Sequence, residues 1–359
     1  MIEEFIDAYI ENYKNYKENW NYEDGCVLKG ALDLYKITQE EKYKSFILKY
    51  MNLYIDKDGN IKGYNFKNYN LDDINSGKVL FDLYEMTKDE KYKKAIEHLY
   101  KQVKEQPRTD EGNFWHKNIY PYQVWLDGLY MVMPFYIKYI NEFGDKKNIL
   151  DIYSQFINVQ KHMRNVKNGL YYHGYDEKRQ ELWADKETGV SPNFWGRAEG
   201  WFVMALVDVI EEMDEEFFQQ YEELKNMFKE AIDALLKYQD IETGMWYQIL
   251  DKGGKQGNYV ETSATCMIAY SILKGSRLGY LPLSYKDYGI KAFNGTLKKY
   301  FIKLEGKYSL GGICSVAGLG NNPYRDGSYE YYISEKVVSN DPKGVGAFLM
   351  VYGEMLRLK

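Results

Sequence analysis

The chain has 359 residues and a formal net charge of −6, which argues against a nucleic-acid partner, whose phosphates demand a basic face. Hydrophobic residues make up 45% and charged residues 28%, enough for one large buried core, and no apolar run approaches the ~18 residues of a membrane span. Cys26, Cys266 and Cys314 are odd in number and far apart, with no disulfide framework or zinc-ligand spacing. The opening Met1-Ile2-Glu3-Glu4 has neither a basic nor an apolar leader region. The expectation is a monomeric cytoplasmic protein with no metal, cofactor, membrane or nucleic-acid partner.

Helical periodicity predicts a first helix over about 2–17. Asp33-Leu34-Tyr35 then runs through Thr38 to Glu41-Lys42-Tyr43-Lys44, and the pattern recurs as Asp82-Leu83-Tyr84 through Thr87 to Glu90-Lys91-Tyr92-Lys93. Each block reads as a helical hairpin whose apolar face only a neighbouring hairpin can bury. The cluster Lys91, Lys93 and Lys94 sits among acidic residues and reads as a solvated helix face. Residues 123–162 give a third pair turning at Gly144 and Asp145. Residues 197–239 give a fourth, broken near Asp214, and 260–301 a fifth, broken around Gly279 to Pro282. A last helix is expected over about 343–358.

If the two end helices pair, six hairpins close into an all-α (α/α)6 toroid, with residues 1–359 as a single domain. An open α-solenoid is the alternative, but unpaired end helices fit closure better. Residues 302–342 break the periodicity with Gly306, Gly311, Gly312, Gly318 and Gly320, and read as a long loop or small β excursion beside the cavity. Gly318-Leu319-Gly320 lacks the third glycine, strand and helix of a dinucleotide fingerprint.

Six segments precede or open one helix of each hairpin: Trp20 to Asp24, Asp72-Asp73, His116 to Asp127, Asn193 to Trp201, Glu261 to Thr265, and Asn340 to Gly346. In a toroid the inner helices point their N-termini to one rim, so the six segments are expected to converge on one mouth. Trp125 and Asp127 are two apart and cannot share a lateral helix face; both line a cavity only if the helix begins there. Asp127 also suits a helix N-terminus for dipole reasons alone. Arg197 and Trp201, four apart, can present a guanidinium fork beside an aromatic platform, as a uronic acid would require; the bland reading is a structural pair of Arg197 with Glu199 or with an aspartate. Of the four histidines, His98 and His162 fall in helices and read as structural, whereas His116 and His173 fall in loops. The 37 Tyr, 16 Phe and 7 Trp suit a carbohydrate cleft as well as a core.

Taken in order, these motifs resemble the unsaturated rhamnogalacturonyl hydrolases among glycoside hydrolases (family 105). The resemblance runs through Trp115-His116-Lys117 with Tyr120-Pro121, Gln123-x-Trp125-x-Asp127-Gly128-x-Tyr130-Met131, and Phe194-Trp195-x-Arg197-x-x-Gly200-Trp201. It continues in Glu261-x-Ser263-Ala264-Thr265 and Asp341-x-x-Gly344-x-Gly346-Ala347-Phe348. It implies an (α/α)6 barrel acting on a small oligosaccharide without a metal, by hydrating the C4=C5 bond of a terminal unsaturated uronyl residue. Asp127 matches the general acid/base and Asp72 an upstream site carboxylate, with Asp73 adjacent. His116, Lys117, Trp125, His173, Arg197 and Trp201 match substrate-contacting positions. Unsaturated glucuronyl hydrolases share the implied fold and mechanism. An ordinary aspartate is ionised at neutral pH, so burial against Trp125 and Tyr130 and repulsion from Asp72 are expected to favour protonated Asp127, giving a mildly acidic optimum. Competing readings are an inverting glycosidase using Asp72 and Asp127, a non-catalytic sugar-binding toroid, and an epimerase using His116 and His173.

Overall fold

The repeated Asp-Leu-Tyr unit folds alike in both of its copies. Thr38 and Thr87 donate back to the carbonyls of Leu34 and Leu83, and their hydroxyls accept the amides of Glu40 and Asp89. Gln39 and Lys88 between them take left-handed conformations with φ of 59° and 54°, which stops one helix and starts the next. The first copy joins α2 (Tyr22–Thr38) to α3 (Glu41–Tyr54), and the second joins α4 (Leu80–Thr87) to α5 (Glu90–Glu105). The computed structural model describes residues 1–358.

The chain begins with α1 (Ile2–Glu11), and a 3-10 segment, Leu71–Val79, leads into α4. Later hairpins pair α6 (Leu126–Phe143) with α7 (Ile149–Met163), α8 (Gly196–Glu211) with α9 (Phe218–Leu236), and α10 (Thr262–Arg277) with α11 (Lys286–Tyr300). The short α12 (Tyr329–Ser334) precedes α13 (Pro342–Leu356). The inner ring runs α2, the 3-10 segment with α4, α6, α8, α10 and α13, and α13 packs back on α2. The odd-numbered helices α3 to α11 lie outside. Helix α1 covers α13, where Phe5 meets Phe348 edge-on with ring centroids 6.1 Å apart. The expected closed toroid is the observed architecture. Every residue from Thr262 to Ser276 of α10 is buried, as befits a helix enclosed on all sides.

Glycine sets the closing seam. A Cβ on Gly30 of α2 would fall 2.9 Å from the carbonyl of Gly346, and one on Gly346 of α13 would fall 2.5 Å from the backbone of Cys26. The two helices can therefore approach only with no side chain at these positions.

One expectation on element bounds is corrected. The first helix stops at Glu11, not near 17. Asp24 draws the following chain across the start of α2: Tyr13 donates its hydroxyl to that carboxylate, and the amide of Tyr16 donates to it at 2.9 Å. The second inner helix opens as a 3-10 turn because Asn75 and Ser76 donate side-chain hydrogens to the carbonyls of Tyr22 and Asn21, tying it to α2.

Three two-stranded pairs decorate the rim: β1 (Gln123–Trp125) with β2 (Gly174–Asp176), β3 (Phe301–Leu304) with β4 (Lys307–Leu310), and β5 (Ile313–Cys314) with β6 (Val337–Val338), all antiparallel. The last two form the expected β excursion. At the opposite end the inner helices finish in ion pairs, Lys274 to Asp208 at 2.7 Å and Arg277 to Glu354 at 2.8 Å; cations there also complement the helix dipoles. No helix among the described residues is long and apolar enough to cross a membrane.

Candidate active site

A cavity of about 330 Å3 opens on the rim where the inner helices begin. Its wall is built by the starts of α2, the 3-10 segment and α6, with Val316, Ala317 and Arg325 arriving from the late loop.

Strand β1 ends at Trp125 and α6 starts at the next residue, so an extended residue and a first-turn residue two positions apart both face the cavity. Trp125 is held by His116 and Tyr120, stacked at 4.5 and 4.9 Å, and its indole donates to Gln123 at 3.1 Å. Asp127 follows in the first helical turn. Its Oδ2 is buried and lies 3.2 Å from His173 Nε2. The alignment falls short of a full hydrogen bond, and neither atom has another partner. The carboxyl's open side is therefore at Oδ1.

His173 is fully buried; its Nδ1 lies 2.6 Å from the hydroxyl of Tyr332. Lys117 clamps Asp72 at 2.5 Å, with His116 Nε2 3.7 Å from the other oxygen. Burial pushes the Asp72 carboxyl up, but Lys117 and His116 outweigh it and hold the group below its ordinary range. Burial likewise pushes His116 down to about 4 against the pull of Asp72, leaving a neutral imidazole at neutral pH. Asp73 is raised to about 7 by burial and by the charge of Asp72, although Asn70 donates to it at 3.0 Å. Among the described residues no group of three or more His, Cys, Asp or Glu is arranged to hold a metal ion.

The predicted residues divide. Asp72, Asp73, His116, Lys117, Trp125 and Asp127 line the cavity together, and His173 stands directly behind Asp127. Arg197 and Trp201 are not on the wall, which corrects the fork-and-platform expectation. The side chain of Arg197 is 2% exposed; it donates from Nε to Ser263 at 2.7 Å and from Nη2 to the carbonyl of Cys314, with Glu261 at 3.5 Å. Nor does Arg197 pair with Glu199, which accepts the amide of Tyr171. Trp201 is buried and stacks on Tyr130 at 4.9 Å. Tyr130 thus turns to the core rather than to Asp127, and Lys117 neutralises the Asp72 charge expected to repel it. The six segments do not all converge, because residues 311–314 sit on the start of α10: Thr262 donates to Gly312 and Cys314 to Glu261.

Sequence reasoning missed Arg325 and Tyr332. Arg325 reaches the cavity while donating to Tyr120 at 2.9 Å and to the carbonyls of Leu319 and Gly320. Both belong to the irregular late segment, where no periodicity announces a side chain's direction.

Known proteins resemble this chain. The family model described as Glycosyl Hydrolase Family 88 matches residues 1–359. A solved Family 105 glycoside hydrolase from C. acetobutylicum ATCC 824 is 46% identical with a TM-score of 0.96, covering 99% of each chain. Protein Atu3128 of Agrobacterium fabrum (strain C58) is 38% identical over 235 residues, 64% of this chain and 99% of its own length. The unsaturated rhamnogalacturonyl hydrolase YesR of Bacillus subtilis (strain 168) is 23% identical over 279 residues, 76% of each chain. With a family model matched along its whole length and a close structural relative, this chain belongs to the glycoside hydrolases of families 88 and 105, as a family 105 member.

Proposed function

We propose that the enzyme removes the terminal 4,5-unsaturated galacturonyl residue from rhamnogalacturonan-derived oligosaccharides, with Asp127 as acid and then base. One observation carries this reading: Asp127 faces the cavity with one oxygen open, while Asp72, the other expected catalytic carboxylate, is clamped by Lys117 at 2.5 Å. An ordinary glycosidase needs two working carboxyl groups. A vinyl ether needs one.

In this mechanism protonated Asp127 donates to C4, and the C4=C5 electron pair forms the new C–H bond. Positive charge develops at C5 and is shared with the ring oxygen. Asp127, now a carboxylate, takes a proton from water as that water adds to C5. The resulting hemiketal opens, and its rearrangement releases the aglycone sugar. Lys117 and Arg325 are the cavity cations suited to the uronate carboxylate, and Trp125 offers an aromatic face to the sugar ring. The name of the Bacillus relative supports the choice of a rhamnogalacturonan product.

The test is loss of the unsaturated group's ultraviolet absorbance on lyase-generated rhamnogalacturonan disaccharide and unsaturated glucuronyl disaccharides, with release of reducing ends measured on saturated oligosaccharides. Turnover of the first above the others is expected. Preference for the glucuronyl compounds would reassign the sugar, and cleavage of saturated chains would reject the hydration mechanism.

A further inference from the structure

Tyr332 lies in α12, far along the chain from either strand that carries the site. Its hydroxyl is 2.6 Å from His173 Nδ1, while the opposite ring nitrogen faces Oδ2 of Asp127 at 3.2 Å. Three side chains thus form a line from the core to the cavity, and the inner two are fully buried.

The imidazole has little freedom. Trp195 lies against it at 4.7 Å and Trp125 meets it edge-on at 5.3 Å. Tyr332 is fixed in turn: its ring stacks with Trp195 at 6.0 Å, and its carbonyl accepts from Gln248 at 3.2 Å. Burial, with Tyr331 and Asp127 adding to it, pushes the phenol well above its ordinary range. It therefore stays protonated and always has a hydrogen to give.

A neutral imidazole carries its hydrogen on one nitrogen. If Nδ1 held it, Nε2 would accept, and the proton of Asp127 would be drawn onto buried Oδ2, away from any substrate. If Nε2 holds it, Oδ2 accepts and the acid proton belongs on Oδ1, the open side. We propose that Tyr332 is a positioning residue that selects the second arrangement by donating to Nδ1, so that His173 directs the acid proton of Asp127 toward the cavity. This rests on the reading of Asp127 as the acid. After proton delivery the same Nε2–H stabilises the carboxylate that must next act as base. The 3.2 Å contact is loose in the free enzyme and has room to tighten once substrate fills the cavity.

The charged and titratable groups facing this line are His116 and Lys117 from the loop before β1, Asp72 and Asp73 from the 3-10 segment, and Cys314, Arg325 and Tyr331 from the late segment. Of these Asp73, at about 7, titrates in the working range. It does so in wild type and variant alike, so only the difference between their profiles is read.

The chain has only four histidines, so 15N NMR of histidine-labelled protein can read the His173 tautomer directly. At pH 7 the wild type should show Nε2–H, and Tyr332→Phe should show a gain of Nδ1–H. In kinetics the variant's kcat should fall about tenfold with KM within about twofold. Its alkaline limb should move upward by about half a unit or more, because the Asp127 carboxylate loses a donor. An Nδ1–H tautomer in wild type overturns the proposal, as does a variant with unmoved kcat and unmoved limb. The phenylalanine keeps the ring packing; should it still misfold, the wild-type spectrum decides. The spectrum needs no substrate, so failure here is distinct from failure of the Asp127 reading, which Asp127→Asn tests separately.

Discussion

The amide of Leu126 donates to the carbonyl of His173 at 3.1 Å, extending by one bond the ladder that pairs Trp125 with Gly174. The residue before Asp127 and the residue that faces it are thus joined through main chain. Neither can shift without breaking a strand pair, which holds the carboxyl–imidazole spacing against the loss of any single side chain.

Replacing Asp127 by Asn keeps shape and polarity but removes the transferable proton. We expect kcat to fall by about three orders of magnitude or more, with substrate affinity largely kept. Steady-state kinetics with the unsaturated disaccharide decides; a loss under about tenfold would falsify the acid/base role.

Lys117→Met leaves the Asp72 carboxylate buried without its cation. At pH 7 the variant should lose about 1–3 kcal/mol. A carboxyl held low in the folded state stabilises above its unfolded pKa and loses that contribution as pH falls. The gap between wild type and variant should therefore narrow in denaturant melts toward pH 4; a constant gap refutes the pairing as its source.

Asp73 has the opposite sign. Its carboxyl rises to about 7 on folding, so the folded state binds the proton more tightly than the unfolded chain does. Its contribution to stability drops as pH rises from about 4 through 7. Asp73→Asn should match wild type in Tm at or below about pH 4 and exceed it by a few degrees at pH 8. Parallel Tm curves for the two proteins would contradict this.

Arg197→Met separates the sequence-based expectation from the structural one. A substrate-gripping arginine would be lost as a raised KM in a stable protein. A buried guanidinium beside Glu261 would be lost as about 3–5 kcal/mol of stability, with near-normal KM in whatever remains folded at low temperature. Melting curves and KM measured on the same preparation discriminate the two.

Much of the site was legible because chemistry and geometry coincide at helix starts. The spacing of Trp125 and Asp127 made sense only if a helix began between them, and it does. The doubled Asp-Leu-Tyr unit announced the hairpin, and the two end helices announced closure. Arg197 misled because a four-residue spacing tells which face two side chains share, not whether a loop covers that face. The covering segment, residues 311–314, lies more than a hundred positions away, beyond any local pattern. Tyr332 was hidden for the same reason, since its partner His173 is brought to it only by closure of the ring.

Gly346→Ala would set a methyl group 2.5 Å from the backbone of Cys26. Backbone cannot yield as a flexible side chain does, so we expect a loss of about 2 kcal/mol or more, measured by thermal or urea unfolding. A neutral result would show that α2 and α13 can separate slightly at no cost.

That seam has a temporal consequence. Synthesis delivers α2 early and α13 only after more than three hundred residues have been joined. Until then one flank of α2 has no cover, and the arc behind the cavity stands open. A nascent chain can form hairpins one after another, yet it must remain catalytically mute and vulnerable to aggregation until the final inner helix docks.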